Sequence, residues 1–168
     1  YVFAAELPQD LMLTDRLLSE TAFVRILIRG SWQAEIAPGY WAGAGPVVVF
    51  GPNEFPLPVR VKGPFTVIGF AIHPGGWRSL FDRSARDYAD QMIPLSAAWG
   101  NIAERLWNET KDETDDTCLV TAMERAISAQ LAWIGLRAPD TQMNDFAAIA
   151  RSDSTIRIDD AAAKIGLS

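Results

Sequence analysis

The chemistry open to this 168-residue chain is limited by one histidine, one cysteine and one acidic run. His73 closes a β-like stretch immediately before Pro74-Gly75-Gly76. A histidine there is either a strand-end hydrogen-bonding group, using one donor and one acceptor nitrogen, or the one titratable group of a ligand pocket. A metal shell built on facing strands needs several His and a carboxylate, so a single His excludes it on count. Cys118 and His73 together would have the types of a nucleophile and its base, but no pattern brings them side by side. Cys118 falls in the first turn of a helix and is expected to be buried and structural. Asp112-Glu113-Thr114-Asp115-Asp116 reads as a solvated loop that places negative charge at a helix start. Gly43-Ala44-Gly45 lacks the Lys-Ser and the helix that complete a phosphate loop. The expectation is no catalytic residue, no metal and no cofactor.

The elements that would position these groups run strands first, helices after. Ala22, Val24, Ile26 and Ile28 alternate with Arg25 and Arg29, and Trp32, Ala34 and Ile36 alternate with Gln33 and Glu35. A period of two sets one face on a core, so Ala22 to Ile36 is expected to be a hairpin turning at Gly30-Ser31. Pro38 to Pro46 reads as a loop, and Val47 to Phe50 as a short buried strand closed by Gly51-Pro52-Asn53. Val59 and Val61 alternate with Arg60 and Lys62 up to Gly63-Pro64, and Phe65 to His73 is a separate, longer β run. Short strands broken by Gly and Pro predict a small barrel or sandwich. From Ser96 the period changes. Trp99, Ile102, Ala103, Leu106 and Trp107 form a helical stripe. A second helix from Asp115 to Ile134 starts with acidic caps, carries Leu119, Met123, Ile127, Leu131 and Ile134 on its apolar face, and stops at Gly135 and Pro139. A third runs from about Gln142 to Ala150 behind a cap at Asp140 or Thr141, with Met143, Phe146, Ala147 and Ala150 inward. At the end, Ile158, Ala161, Ala162 and Ile165 share one helical face. Gly166 suits the left-handed residue that ends a helix, and Ser168 suits the cap of a second one. That is the first half of a helix-turn-helix, without the helix that reads bases in the major groove.

The six tryptophans add candidate surfaces. Trp32 falls with the inward set of its strand, and Trp77 follows Pro-Gly-Gly at the expected barrel mouth. Gly69 and Ala71 share a face with His73 and leave room either for a covering helix or for a ligand. Candidate effector-contacting residues are therefore Trp32, Phe50, Phe70, His73 and Trp77. Regular alternation puts Phe70 and His73 on opposite faces, which makes Phe70 the weaker member. Trp99 and Trp107 belong to helix packing. Trp133 lies off its helix's apolar face, and with Val120 it marks a candidate dimer surface.

The block Val67-Ile68-Gly69-Phe70-Ala71-Ile72-His73-Pro74-Gly75-Gly76-Trp77, followed by Leu80-Phe81, Ile93-Pro94-Leu95 and Trp99-Gly100, resembles the N-terminal region of one subgroup of AraC-type transcription regulators. Gly51-Pro52 fits upstream. Ile156 to Ser168 resembles the start of that family's DNA-binding domain, and Asp145 to Ala150 its preceding helix. Two departures stand out: Arg157 replaces the usual Ser or Thr cap, and Ala161 replaces a larger Leu. They imply a looser helix start and thinner packing.

The resemblance implies an α+β chain: a small cupin-like β-barrel, then a helix pair, then a truncated helix-turn-helix segment. Residues 1–137 would sense an effector or dimerise, and 138–168 would begin the DNA-binding domain. The net charge of -6 and the scattered fifteen Lys and Arg make this chain itself a poor match for DNA phosphates. DNA is thus expected as a partner of the full-length protein and not of these residues. The other expected partners are a small-molecule effector and a second copy of the chain, in the cytoplasm, with no membrane span. One cysteine allows no internal disulfide. The alternative function is a stand-alone cupin-like enzyme acting on a small molecule. It is separated from the regulator by whether the gene continues into a basic recognition helix.

Overall fold

The computed structural model describes residues 5–19, 21–135, 137 and 140–166. Two long strands organise the fold. β3 (Phe23–Ala37) and β6 (Leu57–Ala71) lie antiparallel over almost their whole length, from Phe23 opposite Ala71 to Ala34 opposite Val59. β1 (Ala5–Leu7) and β2 (Met12–Leu17) pair along the far edge of β6, β4 (Tyr40–Ala42) on β3, and β5 (Val47–Phe50) between β3 and β7 (Met92–Pro94). All these pairings are antiparallel, and among the described residues they form one seven-stranded sheet.

The expected hairpin at Gly30-Ser31 is instead a bulge inside β3. The register with β6 shifts on both sides of Arg29. Gly30 has φ +91°, and a Cβ there would lie 2.5 Å from the Pro64 carbonyl oxygen. Only glycine tolerates both conditions. Gly63-Pro64 likewise does not end a strand, because β6 runs through it opposite the bulge. The bulge has two effects. It switches the inward parity of β3 from odd (Phe23, Leu27) to even (Trp32, Ala34). It also bends the strand: nine extended residues span about 30 Å, yet Phe23 and Trp32 both touch the ring of Phe50, at 4.9 and 5.8 Å. The sheet therefore curls over its own inner face, giving a cupin-like domain followed by helices.

Alternation divides the apolar residues into two cores. Val24, Ile26, Val47, Val49, Ile68 and Phe70 face the helices, whereas Phe23, Leu27, Val48, Phe50, Phe65 and Val67 face the concave side. The helical cover comprises α1 (Trp77–Leu80), α2 (Ser96–Trp99), α3 (Asn101–Thr110) and α4 (Asp116–Ile134). Gly100, at φ +52°, splits the expected single helix into α2 and α3. Asp115 caps α4 by accepting from the Cys118 N–H at 2.9 Å. The buried face of α4 is Leu119, Ala122, Met123, Ala126 and Gln130. The expected stripe is thus rotated, with Leu131 exposed, because the small Ala side admits closer approach than the Leu side. The Leu80 carbonyl accepts from both Trp99 Nε1 and Gln130 Nε2, at 3.1 and 2.9 Å. These bonds fasten α1 to two helices.

Two further helices follow. α5 (Thr141–Ser152) is capped by Asp140, whose carboxylate accepts from Met143 N–H. It leaves Met143 exposed and buries none of its residues fully, unlike the inward stripe expected of it. α6 (Ile158–Lys164) starts at Arg157 with no side-chain cap and buries Ala161. Gly166 follows at φ +77°. Ser168 and Pro139 lie outside the described residues. No described helix is long and apolar enough to cross a membrane.

Candidate functional site

The concave face of the sheet encloses a half-open cavity of about 160 Å³. Phe23, Trp32, Phe50 and Phe65 supply its aromatic walls, Val59, Val61, Val67 and Met92 its aliphatic ones, and Leu17 one rim. The walls are held by specific contacts. Trp32 donates from Nε1 to the Gly45 carbonyl at 2.9 Å, so the strap before β5 fixes the indole edge-on to Phe50. Phe23 stacks on Phe50, and the Arg25 guanidinium lies 4.3 Å over the Phe23 ring, a favourable cation–π placement. Gln33 and Arg25 are the polar residues of the lining. Gln33 accepts from Arg60 Nε at 2.7 Å, and Arg60 in turn stacks over Trp41. Such a chamber has apolar walls and few polar groups, the composition of a small-molecule site.

Of the five residues that the sequence marks as effector contacts, the structure brings Trp32 and Phe50 together here. Phe70 points to the helices and lies 6.3 Å from Trp99, as alternation on β6 requires. Trp77 is buried as the first residue of α1, stacked on Phe81 at 4.1 Å, and donates from Nε1 to the Arg83 carbonyl. His73 lies past the end of β6 and is exposed; its backbone carbonyl accepts from Gly76 N–H. Neither fills the room beside Gly69 and Ala71. At Gly69 that room belongs to the β3 backbone, since a Cβ there would overlap the Val24 carbonyl. Sequence reasoning misses Phe23, Arg25 and Phe65. The available signal is that Phe23 and Leu27, two residues either side of Arg25, are as apolar as the Val24 and Ile26 set, which marks a strand buried on both faces.

Elsewhere, Trp133 is 80% exposed and Val120 is part-buried on α4. Trp133 borders an open groove of about 870 Å³ between α2, α3 and α4, with Ala97, Arg105, Ala129 and Ala132. Cys118 is exposed and not buried as expected; it lies in the first turn of α4, outside the buried set that begins at Leu119. Hydrogen bonding to Asp115 and the charge of Glu113 push its thiol up, away from the reactive thiolate. Burial raises the Tyr88 phenol. Among the described residues, no three His, Cys, Asp or Glu side chains gather to hold a metal.

No protein-family model matches the sequence, and no curated protein sequence does. Solved structures give a likeness. In fold, this chain is similar to ToxT. The match is to the crystal structure of an apo ToxT variant from Vibrio cholerae, with a TM-score of 0.50 and 13% sequence identity. It covers 99% of this chain and 70% of that one. At that identity the likeness concerns the fold alone.

Proposed function

We propose that this chain is the effector-binding and dimerisation region of an AraC-type transcription regulator. The observation that carries the reading is the apolar cavity on the concave face, built from Trp32, Phe50 and their neighbours. Its support is threefold: the AraC-like order of motifs between Val67 and Gly100, the cupin-like fold, and the likeness to ToxT, an AraC-family regulator. Residues 1–137 form the sensing part, and 138–168 begin the helix-turn-helix unit, with α6 as its first helix. A cavity of about 160 Å³ with aliphatic and aromatic walls takes a molecule about the size of one aromatic ring. The effector is accordingly compact and largely apolar. Its binding stabilises one arrangement of the sensing part over another and so biases how the DNA-binding unit is presented. In this reading the protein acts in the cytoplasm, on DNA, as a homodimer joined through α4 with Val120 and Trp133. The enzyme alternative finds little support, because the cavity brings no acid–base or nucleophilic pair together.

Titration with toluene tests the cavity. Emission of the parent should shift on binding, the response should shrink in Trp32→Phe, and it should vanish when Val61→Phe occupies the space. No response in the parent, or an undiminished one in Val61→Phe, removes the effector reading. Sizing of the parent against Trp133→Asp tests the dimer: a parent that stays monomeric at high micromolar concentration removes that surface.

A further inference from the structure

α5 sits on the Pro74-Gly75-Gly76 turn through a missing side chain. Gly75 is buried, and a Cβ on it would overlap the carboxamide of Asn144, which enters the turn from α5. Gly75 is not among the glycines with positive φ, so close approach, and not backbone conformation, is what requires glycine here. Around this contact the Gly75 carbonyl accepts from Asp140 N–H at 3.1 Å. Arg78 Nη1 stands 3.8 Å from Asp140 Oδ2, and Arg137 Nη2 is 2.8 Å from Asp82 Oδ1. The Ser79 hydroxyl donates to the Arg137 carbonyl.

The fit is close in shape and weak in energy. α5 buries no residue fully, both arginines and Asp82 of the two ion pairs are exposed and the Arg78–Asp140 pair is long, so the pairs contribute little, and Asn144 Oδ1 is buried without a hydrogen-bond partner. A buried acceptor left unsatisfied opposes docking. The turn also occupies a junction. It follows β6, whose Val59, Val61 and Val67 line the cavity, and it leads into α1, whose last carbonyl is held by Trp99 and Gln130.

We propose that Gly75 and Asn144 form a releasable latch that fixes α5 against the sheet domain and frees it when the carboxamide leaves the turn. Its regulatory meaning, two positions for whatever α5 carries, rests on the regulator reading. The latch itself does not, and the test uses the chain without any cavity ligand, so the two fail separately. Amide hydrogen exchange is followed in residues 141–152, with β3 and β6 as internal reference. Gly75→Ala should speed exchange in α5 by about tenfold or more and leave the sheet unchanged. Adding Asn144→Ala to Gly75→Ala should restore most of the protection, since the new methyl then has room. Should Gly75→Ala fold poorly, Asn144→Phe places the excess volume on α5 instead and should speed α5 exchange with an intact sheet. The latch is overturned if α5 exchange in Gly75→Ala or Asn144→Phe stays within about twofold of the parent, or if the double variant exchanges as fast as Gly75→Ala alone.

Discussion

The two faces of one sheet have been finished in different ways. On the helix side, Phe70, Trp77, Phe81, Tyr88 and Trp99 interlock ring on ring, and two indole N–H groups find backbone carbonyls. On the concave side a similar aromatic content, Phe23, Trp32, Phe50 and Phe65, stands around open space. Both faces are apolar and both come from the same strands. Apolar content therefore does not distinguish a structural core from a binding chamber; what distinguishes them is whether a second layer of chain fills the remaining volume.

Substitutions on opposite faces sharpen this contrast. The largest effect is expected from Trp77→Ala, which empties the middle of the interlocked stack. It should lower stability by about 3–5 kcal/mol in urea unfolding, and a loss below about 1 kcal/mol would mean that the stack is not a core. Next comes a matched pair of enlargements. Val49→Phe, on the filled face, should cost about 1–3 kcal/mol through overpacking. Val59→Phe, on the chamber wall, should change stability by less than about 1 kcal/mol. Equal losses would erase the distinction between the faces. The smallest effect is electrostatic and lies away from both cores. Backbone N–H groups of Asp115 and Thr114 hold Glu113 below the usual carboxylate range, and the Cys118 N–H does the same for Asp115. Depressed carboxylates stabilise the fold above their unfolded pKa, and this is lost as pH falls through the lower folded value. Below about pH 4, the protection of the Cys118 and Leu119 amides relative to their intrinsic exchange at the same pH should fall, while neither face of the sheet responds. Unchanged protection there would show that the cap does not hold the first turn of α4.

Much of this architecture is legible from local chemistry. Asp115, Gly135 and Asp140 mark helix ends because caps act over two or three residues, and the structure has helices ending there. The parity of Val24 and Ile26 against Phe23 follows from strand geometry alone. Gly30-Ser31 misleads for a definite reason: a tight turn and a bulge ask the same thing of a glycine, and only the partner at Lys62 to Phe65, about thirty residues away, decides between them. Arg25 reads as a solvent-facing charge until the sheet is seen to curl over its own face, which sets the guanidinium over Phe23 in the chamber lining. Phe70 belongs to the other wall because the sequence shows which residues share a face and not which face is the chamber. The exposure of Cys118 depends on which side of α4 meets the rest of the fold, the side of Leu119 and Ala122 being buried, and no local pattern encodes that choice.

The pairing scheme also sets an order of events during synthesis. Among the described residues β1 and β2 have a single partner, β6, and β6 is complete only at Ala71. At roughly 5–20 residues per second, the first strands therefore wait several seconds on the ribosome before the strand they need exists. During that interval Met12, Leu13 and Leu17 are available to other chains, and the arrival of one fifteen-residue strand closes the sheet on both sides at once.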